Sequence, residues 1–344
     1  MSANESLAQL SNGMVYAAMA VYAGSLVGFA ASFAAGRGQH EDEAADSIER
    51  SARVATKSVD VTERAVGEES AGSGGTATLT KTKDDGIEPL PPGRRAGNIA
   101  MSLMWLATAF LLVGEVARGL SAGRVPWGNM YEFSLSAALA TAIVFLALSL
   151  RRDLRWLGMF VVGAILLTLG AAVTILYTES AQLVPALKSV WLVIHVLAAI
   201  ISGGAFTIGA AVTALYLVRD RAESKADGGQ VTGWLASRVP SAKRLDTMAY
   251  RINAFVFPLW TFAVIAGAIW AENAWGRYWG WDPKETWAFI TWVIYAGYLH
   301  ARATAGWRGR KAAVICLVGY VAFLINYFGI NFFASGLHSY AGVS

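Results

Sequence analysis

The chain has little of what thiol and nucleotide chemistry need. Cys316 is the one cysteine among 344 residues, so an intrachain disulfide, a CxxC redox pair and a cysteine zinc cluster cannot be formed from this chain. Walker A, GxGxxG and HExxH sequences are absent as well. These absences exclude thiol–disulfide relay chemistry and nucleotide hydrolysis.

Charge is also scarce. Charged residues make up 15% of the chain and hydrophobic residues 55%, and the mean hydropathy is +0.45. Several uncharged stretches reach about 20 residues, the length that crosses a bilayer as a helix. A soluble enzyme is therefore excluded, and an all-α polytopic membrane protein is predicted. We predict eight spans, at residues 12–35, 98–116, 130–150, 156–176, 189–218, 252–271, 287–303 and 311–333.

Basic residues predict the orientation of these spans. With the N-terminus outside, 23 of the 28 Lys and Arg fall in the inner segments 37–97, 151–155, 219–251 and 302–311. Such a bias marks the cytoplasmic side of a membrane. We therefore predict a multi-pass plasma-membrane protein with both termini outside.

The organisation has three parts. Residues 1–36 are predicted to form a retained N-terminal helix, and residues 37–97 a charged cytoplasmic linker whose composition cannot bury a core. Residues 98–344 are predicted to form a seven-helix membrane domain. Within it, residues 237–253 are expected to lie along the membrane surface before the sixth span.

Residues 270–287, between spans six and seven, hold five of the 13 tryptophans. Anchoring in the headgroup layer explains Trp270 and Trp287. It explains the inner part of the loop poorly, because tryptophans there alternate with Gly and Pro in a turn-prone order. Flat apolar rings beside glycines suit a large planar ligand. The inner residues are Trp275, Gly276, Trp279, Gly280, Trp281, Asp282, Pro283 and Glu285.

Three of the four histidines lie in or beside predicted spans, where ionisable side chains are costly. His195 near the outer end of span five and His338 after span eight can meet on the outer side. Two neutral imidazoles beside an aromatic loop are what six-coordinate haem iron requires. His300 lies about 20 Å deeper than Trp287. Its position alone fits equally a structural role and half of a site completed by a partner.

A second outer motif precedes and begins span three. Asn129 is a candidate helix cap, and Trp127 and Tyr131 are candidate interfacial anchors. Glu132 lies just inside the span and therefore needs a partner or water. A supporting role at the site is one reading of this motif, and a purely structural role is the other.

The segment WGRYWGWDPKETW, residues 275–287, resembles the tryptophan-rich WWD signature of haem-handling proteins. Together with the flanking histidines, GNMYEF and the terminal GLHSY, it resembles the CcsA/ResC branch of cytochrome c biogenesis over residues 98–344. The resemblance implies that haem b from the cytoplasm is held at the outer face between His195 and His338 over the WWD loop, which includes Trp287, and is joined to an apocytochrome c.

The same resemblance places His300 in a second haem site, shared with a Ccs1/ResB-type membrane protein. It implies a subunit of a holocytochrome c synthase, with haem and apocytochrome c as partners and a thiol-reducing thioredoxin-like protein nearby. No nucleic-acid partner is expected. Two alternatives stay open: a haem exporter or carrier without attachment activity, and a haem-containing electron-transfer subunit, which predicts stacked histidine pairs within this chain.

Overall fold

The computed structural model describes residues 3–35, 93–179, 188–226, 238–334 and 336–338, and these residues form an all-helical bundle. Most of the predicted linker and the end of the chain beyond His338 lie outside the described residues. Eight long helices are present: α1 (Ala3–Ala35), α2 (Arg94–Ala122), α3 (Met130–Ser149), α4 (Arg155–Thr174), α5 (Val190–Lys225), α6 (Ala242–Trp275), α7 (Pro283–Ala303) and α8 (Arg310–Leu324). A π-helical turn, Ile325–Gly329, and a final turn, Ile330–Phe333, continue α8.

Seven of these helices are long and apolar enough to cross a membrane, which confirms a polytopic membrane fold. The exception is α7, whose last turn carries His300 and Arg302. Its 21 residues span about 31 Å, the thickness of a bilayer's hydrocarbon core. Thus α7 is long enough to be the remaining span but is less apolar than the others.

The helices extend beyond the apolar runs that predicted them. α6 begins at Ala242, so the segment expected to lie along the membrane surface forms the first turns of this helix instead. Ion pairs between helices hold the extension. Arg302 on α7 makes two hydrogen bonds to Asp246 on α6, at 2.6 and 2.8 Å, and Arg310 pairs with Asp220 on α5. Hydropathy identifies only the apolar part of a helix, and such pairs connect the polar turns beyond it.

Small and hydroxylated residues allow α1 to pack closely along α2. A Cβ on Gly28 would lie 2.9 Å from that of Ala100, so only glycine permits this approach. Ser11 and Ser25 donate to the carbonyls of Gly114 and Ala100. Close backbone approach and inter-helix hydrogen bonds replace the hydrophobic effect between helices in lipid. The first helix is thereby joined to the bundle.

Alternation of the helices places one set of helix ends together. α2, α6 and α8 finish where α3, α5 and α7 begin, and we call this the loop end of the bundle. It gathers the α2–α3 connection, the first turns of α5, the α6–α7 turn and the segment after α8. The residues proposed from the sequence as an outer site all lie here.

Candidate functional site

The turn between α6 and α7 is sharp and fully specified by its sequence. Gly276 ends α6 with a φ of 70°, in the left-handed region that glycine adopts without strain. Trp281 has a φ of 58°, in the same left-handed region, which residues other than glycine seldom adopt. Its surroundings must therefore enforce this conformation. Pro283 follows at the first position of α7, where its missing N–H costs nothing.

Glu285 fixes this turn from inside α7. Its Oε2 accepts hydrogen bonds from the backbone N–H groups of Gly280, at 2.8 Å, and Asp282, at 3.1 Å. The Asp282 side chain reciprocally caps the helix, which completes a capping box. Arg277 lies 3.7 Å from Glu285 and occupies the space that a side chain at position 280 would need. The turn is therefore a rigid element.

Asp282 connects this turn to the segment after α8. Its Oδ1 accepts a hydrogen bond of 2.8 Å from His338 Nδ1, and its Oδ2 accepts one of 2.7 Å from the Leu337 N–H. Burial raises the pKa of Asp282, but the hydrogen bonds from His338, Leu337 and Lys284 outweigh it and bring that pKa to about 2. The carboxylate is therefore ionised and orients the imidazole.

His338 is held as a neutral base. Burial lowers its pKa, and the hydrogen bond to Asp282 acts in the opposite direction without overcoming burial. A carboxylate accepts only from a protonated nitrogen, so Nδ1 carries the proton and Nε2 carries the lone pair. This carboxylate–histidine arrangement is the one that orients metal-ligating histidines.

His195 is held in the same tautomer by a different hydrogen-bond acceptor. Its Nδ1 lies 2.7 Å from the carbonyl oxygen of Ala263 on α6, and a carbonyl can only accept. The lone pair is again on Nε2. The ring fits against Gly267, where a Cβ would come within 2.8 Å of it. Both histidines therefore present the nitrogen that binds iron.

Trp270 contacts both imidazoles. Its ring stacks on His195, with centroids 6.1 Å apart and planes 9° apart, and meets His338 edge-on at 5.7 Å. Trp275 contacts both Trp270, at 4.8 Å, and His338, at 5.0 Å. With 2% of its surface exposed, Trp270 is no interfacial anchor, so that sequence interpretation is wrong. It is the centre of the site's aromatic cluster.

The remaining predicted tryptophans of the loop differ in position. Trp279 lines the cavity described below. Trp281 is 64% exposed and packs on Trp279 and Phe289, at 5.7 and 5.9 Å. Trp287 does not line the cavity and lies one turn into α7. Trp275 therefore contacts His338 and Trp279 lines the cavity, whereas Trp281 and Trp287 do neither.

The α2–α3 connection forms the facing wall. Trp127 and Asn129 line the cavity, and Asn129 caps α3 by accepting from the Glu132 N–H, as predicted. Trp127 Nε1 donates to Ser136, which donates to the buried Glu115 on α2. This chain of hydrogen bonds holds the Trp127 indole in the wall.

Glu132 and Tyr131 support that wall from behind. Glu132 is fully buried and accepts from Arg118, Arg124 and the Gly128 N–H, which supplies the partners that the sequence required. Tyr131 is buried beneath the Arg118 guanidinium, 5.1 Å from its ring centre. Neither residue lines the cavity, so their role is structural support.

A cavity opens between these walls, with a solvent-accessible volume of about 170 Å³. Residues from α3, α5, α6, α7 and α8 enclose it. Its lining includes residues that the sequence did not single out: Trp260, Lys284, Phe323, Asn326 and Tyr327. Asn326 and Tyr327 lie on the π-helical turn, an irregularity that frequently marks functional sites.

The donor set argues against a bare metal ion. Within the described ranges, no three side chains of His, Cys, Asp or Glu converge as a metal centre. Two imidazoles alone leave a free cation under-coordinated. They suffice for haem, whose porphyrin supplies four equatorial nitrogens and leaves two axial positions.

His300 lies far from this cavity. It is exposed in the last turn of α7, about 25 Å along that helix from Pro283. No hydrogen bond to its imidazole is found in the part of the chain that the structure describes. The prediction that His300 cannot join the other pair agrees with this placement.

The fold and the site define a polytopic membrane protein with a two-histidine cavity at one end of its bundle. The family model of the cytochrome c assembly protein matches residues 127–338, the range that contains every wall of this cavity. The chain belongs to this family, which gives it a role in cytochrome c maturation.

Individual relatives of this chain support the same family assignment. The cytochrome c biogenesis protein CcsA of Microcystis aeruginosa is 35% identical, over 73% of this chain and 88% of that protein. CcsA of Synechococcus elongatus is 37% identical, over 71% and 86%. Among solved structures, cytochrome c haem lyase CcmF is similar with a TM-score of 0.59 and 15% identity. The similarity covers 94% of this chain and 46% of CcmF, so it supports the fold.

Proposed function

We propose that this chain is the membrane subunit of a cytochrome c synthase, which moves haem b to the outer face and presents it to apocytochrome c. The observation that carries the proposal is the pair of imidazoles at one cavity, each with Nδ1 engaged and the lone pair on Nε2. His195 and His338 are the proposed axial ligands. Trp270 and Trp279, which line the cavity, provide flat surfaces for the porphyrin.

The attachment chemistry needs no nucleophile from this chain. Each cysteine thiol of an apocytochrome CxxCH segment adds across a haem vinyl group, so a C–S bond forms and the thiol hydrogen goes to the other vinyl carbon. Haem carries the reactive group, and the protein supplies orientation. Holding ring and peptide together converts an encounter into a positioned reaction. Cys316 is buried and has no part in it.

His300 fits a second site that a Ccs1/ResB-type partner completes. Its imidazole is exposed on the bundle surface and near the end opposite the cavity. A histidine from another membrane subunit could reach it there without entering this chain's core. In this proposal haem binds at His300 first and at the cavity later, and a thioredoxin-like protein keeps the apocytochrome cysteines reduced.

Two other functions compete with this one. A pure haem carrier would use the same cavity, so the geometry alone does not separate it from a synthase. A permanent electron-transfer subunit would hold haem between histidines stacked within this chain. The cavity supplies one such pair, and the described residues supply no second pair.

Deletion of the protein tests both biogenesis functions. Loss of the protein should abolish all covalently attached haem and spare b-type haem. Retained c-type cytochromes would refute both biogenesis functions.

The decisive experiment is an absorption spectrum of the detergent-purified protein, alone and with its Ccs1/ResB-type partner. We expect a low-spin bis-histidine spectrum that His195→Ala or His338→Ala abolishes and added imidazole partly restores. His300→Ala should lower haem content only when the partner is present. Unchanged haem in the first two variants would refute the ligand assignment.

A further inference from the structure

Two axial ligands leave one degree of freedom in the proposed haem site. They define the plane of the porphyrin, but the ring can rotate about the axis through the two Nε2 atoms. That rotation decides which edge of the ring faces the loop end, the edge with the vinyl groups or the edge with the two carboxylates. A third attachment point is needed to fix it.

Lys284 is placed to be that point. It lies in the first turn of α7, before the predicted span 287–303, and its half-buried side chain lines the cavity together with His195 and His338. Burial lowers the pKa of Lys284 to about 8, and nearby Asp282 partly opposes this effect. The side chain is thus a cation in a partly dehydrated position at neutral pH.

The neighbouring carboxylates do not pair with the Lys284 ammonium. Asp282 directs its oxygens to His338, Leu337 and the Lys284 backbone N–H. Glu285 also lines the cavity; its Oε2 accepts from the turn beside Arg277, and its Oε1 has no hydrogen-bond partner among the described residues. Among the residues that the structure describes, no carboxylate oxygen lies within 4.0 Å of Lys284 Nζ, and no hydrogen bond to Nζ is found. A half-buried ammonium that forms no ion pair within 4.0 Å favours an anionic ligand.

The deeper part of the cavity has no matching charge. Trp260 is ten residues before Trp270 on α6, so it lies about 15 Å further from the loop end. It is 4% exposed, and its Nε1–H has no partner among the described residues. Phe323 and Tyr327 line the same depth. The cavity therefore has a cationic region near the turn and an aromatic region below it.

We propose that Lys284 binds a carboxylate of the porphyrin and fixes the rotation of the ring about its axial ligands. This proposal rests on the proposed function, and it adds a specificity determinant for dicarboxylate porphyrins to the histidine pair. A charge-assisted hydrogen bond of this kind is worth about 1.5–3 kcal/mol, which corresponds to roughly ten- to hundredfold in affinity.

The test compares haem with its dimethyl ester, in which both carboxylates are masked and the iron and vinyl groups are unchanged. Haem-depleted protein in detergent is titrated with each ligand, and the low-spin band reports bis-histidine binding. The wild type should prefer haem by at least about tenfold. Lys284→Met should lose that preference and keep the low-spin band, whereas Lys284→Arg should keep both.

Lys188→Met is the matched control. Lys188 is exposed, lies at the same end of the bundle before α5, and does not line the cavity. It should keep the wild-type preference. If the wild type binds both ligands equally and with a low-spin band, the Lys284 assignment alone is overturned. This outcome does not depend on whether Lys284→Met folds. A wild type that gives no low-spin band with either ligand overturns the haem site itself.

Discussion

Single atoms at this site determine which imidazole nitrogen can bind iron. The Ala263 carbonyl and the Asp282 carboxylate each take the Nδ1–H of one histidine, from different helices and by different chemistry, with the same result. Such partners of a ligating histidine typically change metal affinity ten- to hundredfold when they are removed. The two bonds can be tested separately.

Asp282→Asn tests the bond to His338. Asparagine still caps α7, because Asn and Asp are equally good caps, but it removes the negative charge that His338 and Leu337 face. We expect haem affinity to fall roughly tenfold or more while the protein stays folded. Haem titration followed by absorbance measures this. Asp153→Asn, at an exposed position on the opposite end, is the control, and equal affinities in the two variants would contradict the assignment.

Gly267→Ala tests the position of His195. The added methyl group would lie 2.8 Å from the ring, so the imidazole must shift away from the Ala263 carbonyl. Overpacking of this kind costs about 1–3 kcal/mol, so we expect about tenfold weaker haem binding. Gly163→Ala on α4 meets no atom within 4 Å and serves as the control. Normal binding by Gly267→Ala would mean that the ring tolerates displacement.

Helix ends and turns were the features of the site that the sequence predicted best. The capped start of α3 at Asn129 and the kinds of residues at the α6–α7 turn were predictable, because caps and turns depend on a few adjacent residues. The role of Trp270 was not, because it depends on His195, 75 positions earlier, and His338, 68 positions later. Lys284 lies outside the inner basic segments of the sequence, but only the fold places it in the cavity wall.

The support behind the α2–α3 connection is open to a stability test. Glu132→Ala would leave Arg118 and Arg124, whose side chains are 2% and 10% exposed, without their shared carboxylate. Removing one partner of a buried pair costs about 3–5 kcal/mol, so the thermal unfolding midpoint in detergent should fall clearly. Asp220→Ala breaks the exposed pair with Arg310 and should cost about 1 kcal/mol or less. Similar midpoints for the two variants would show that Glu132 is not a support.

At the scale of the whole molecule, the two ends of the bundle differ in chemistry. The loop end combines the cavity, the aromatic cluster and few basic residues, while the other end carries ion pairs between long helix extensions. The proposed function needs the cavity on the side where apocytochromes are found. The basic-residue bias that predicts this orientation comes mainly from the inner segments, and none of their basic residues that the structure describes lines the cavity.

Orientation can be measured because the chain has one cysteine, and it is buried at 1% exposure. That cysteine should not react with a membrane-impermeant maleimide in intact cells. We expect Lys188→Cys, at the loop end, to be labelled in intact cells, and Arg152→Cys, exposed at the opposite end between α3 and α4, to be labelled only after permeabilisation. The reverse pattern would place the two-histidine cavity on the cytoplasmic side, where apocytochrome cysteines are not presented, and would refute the synthase while leaving a haem-loading role for the same geometry.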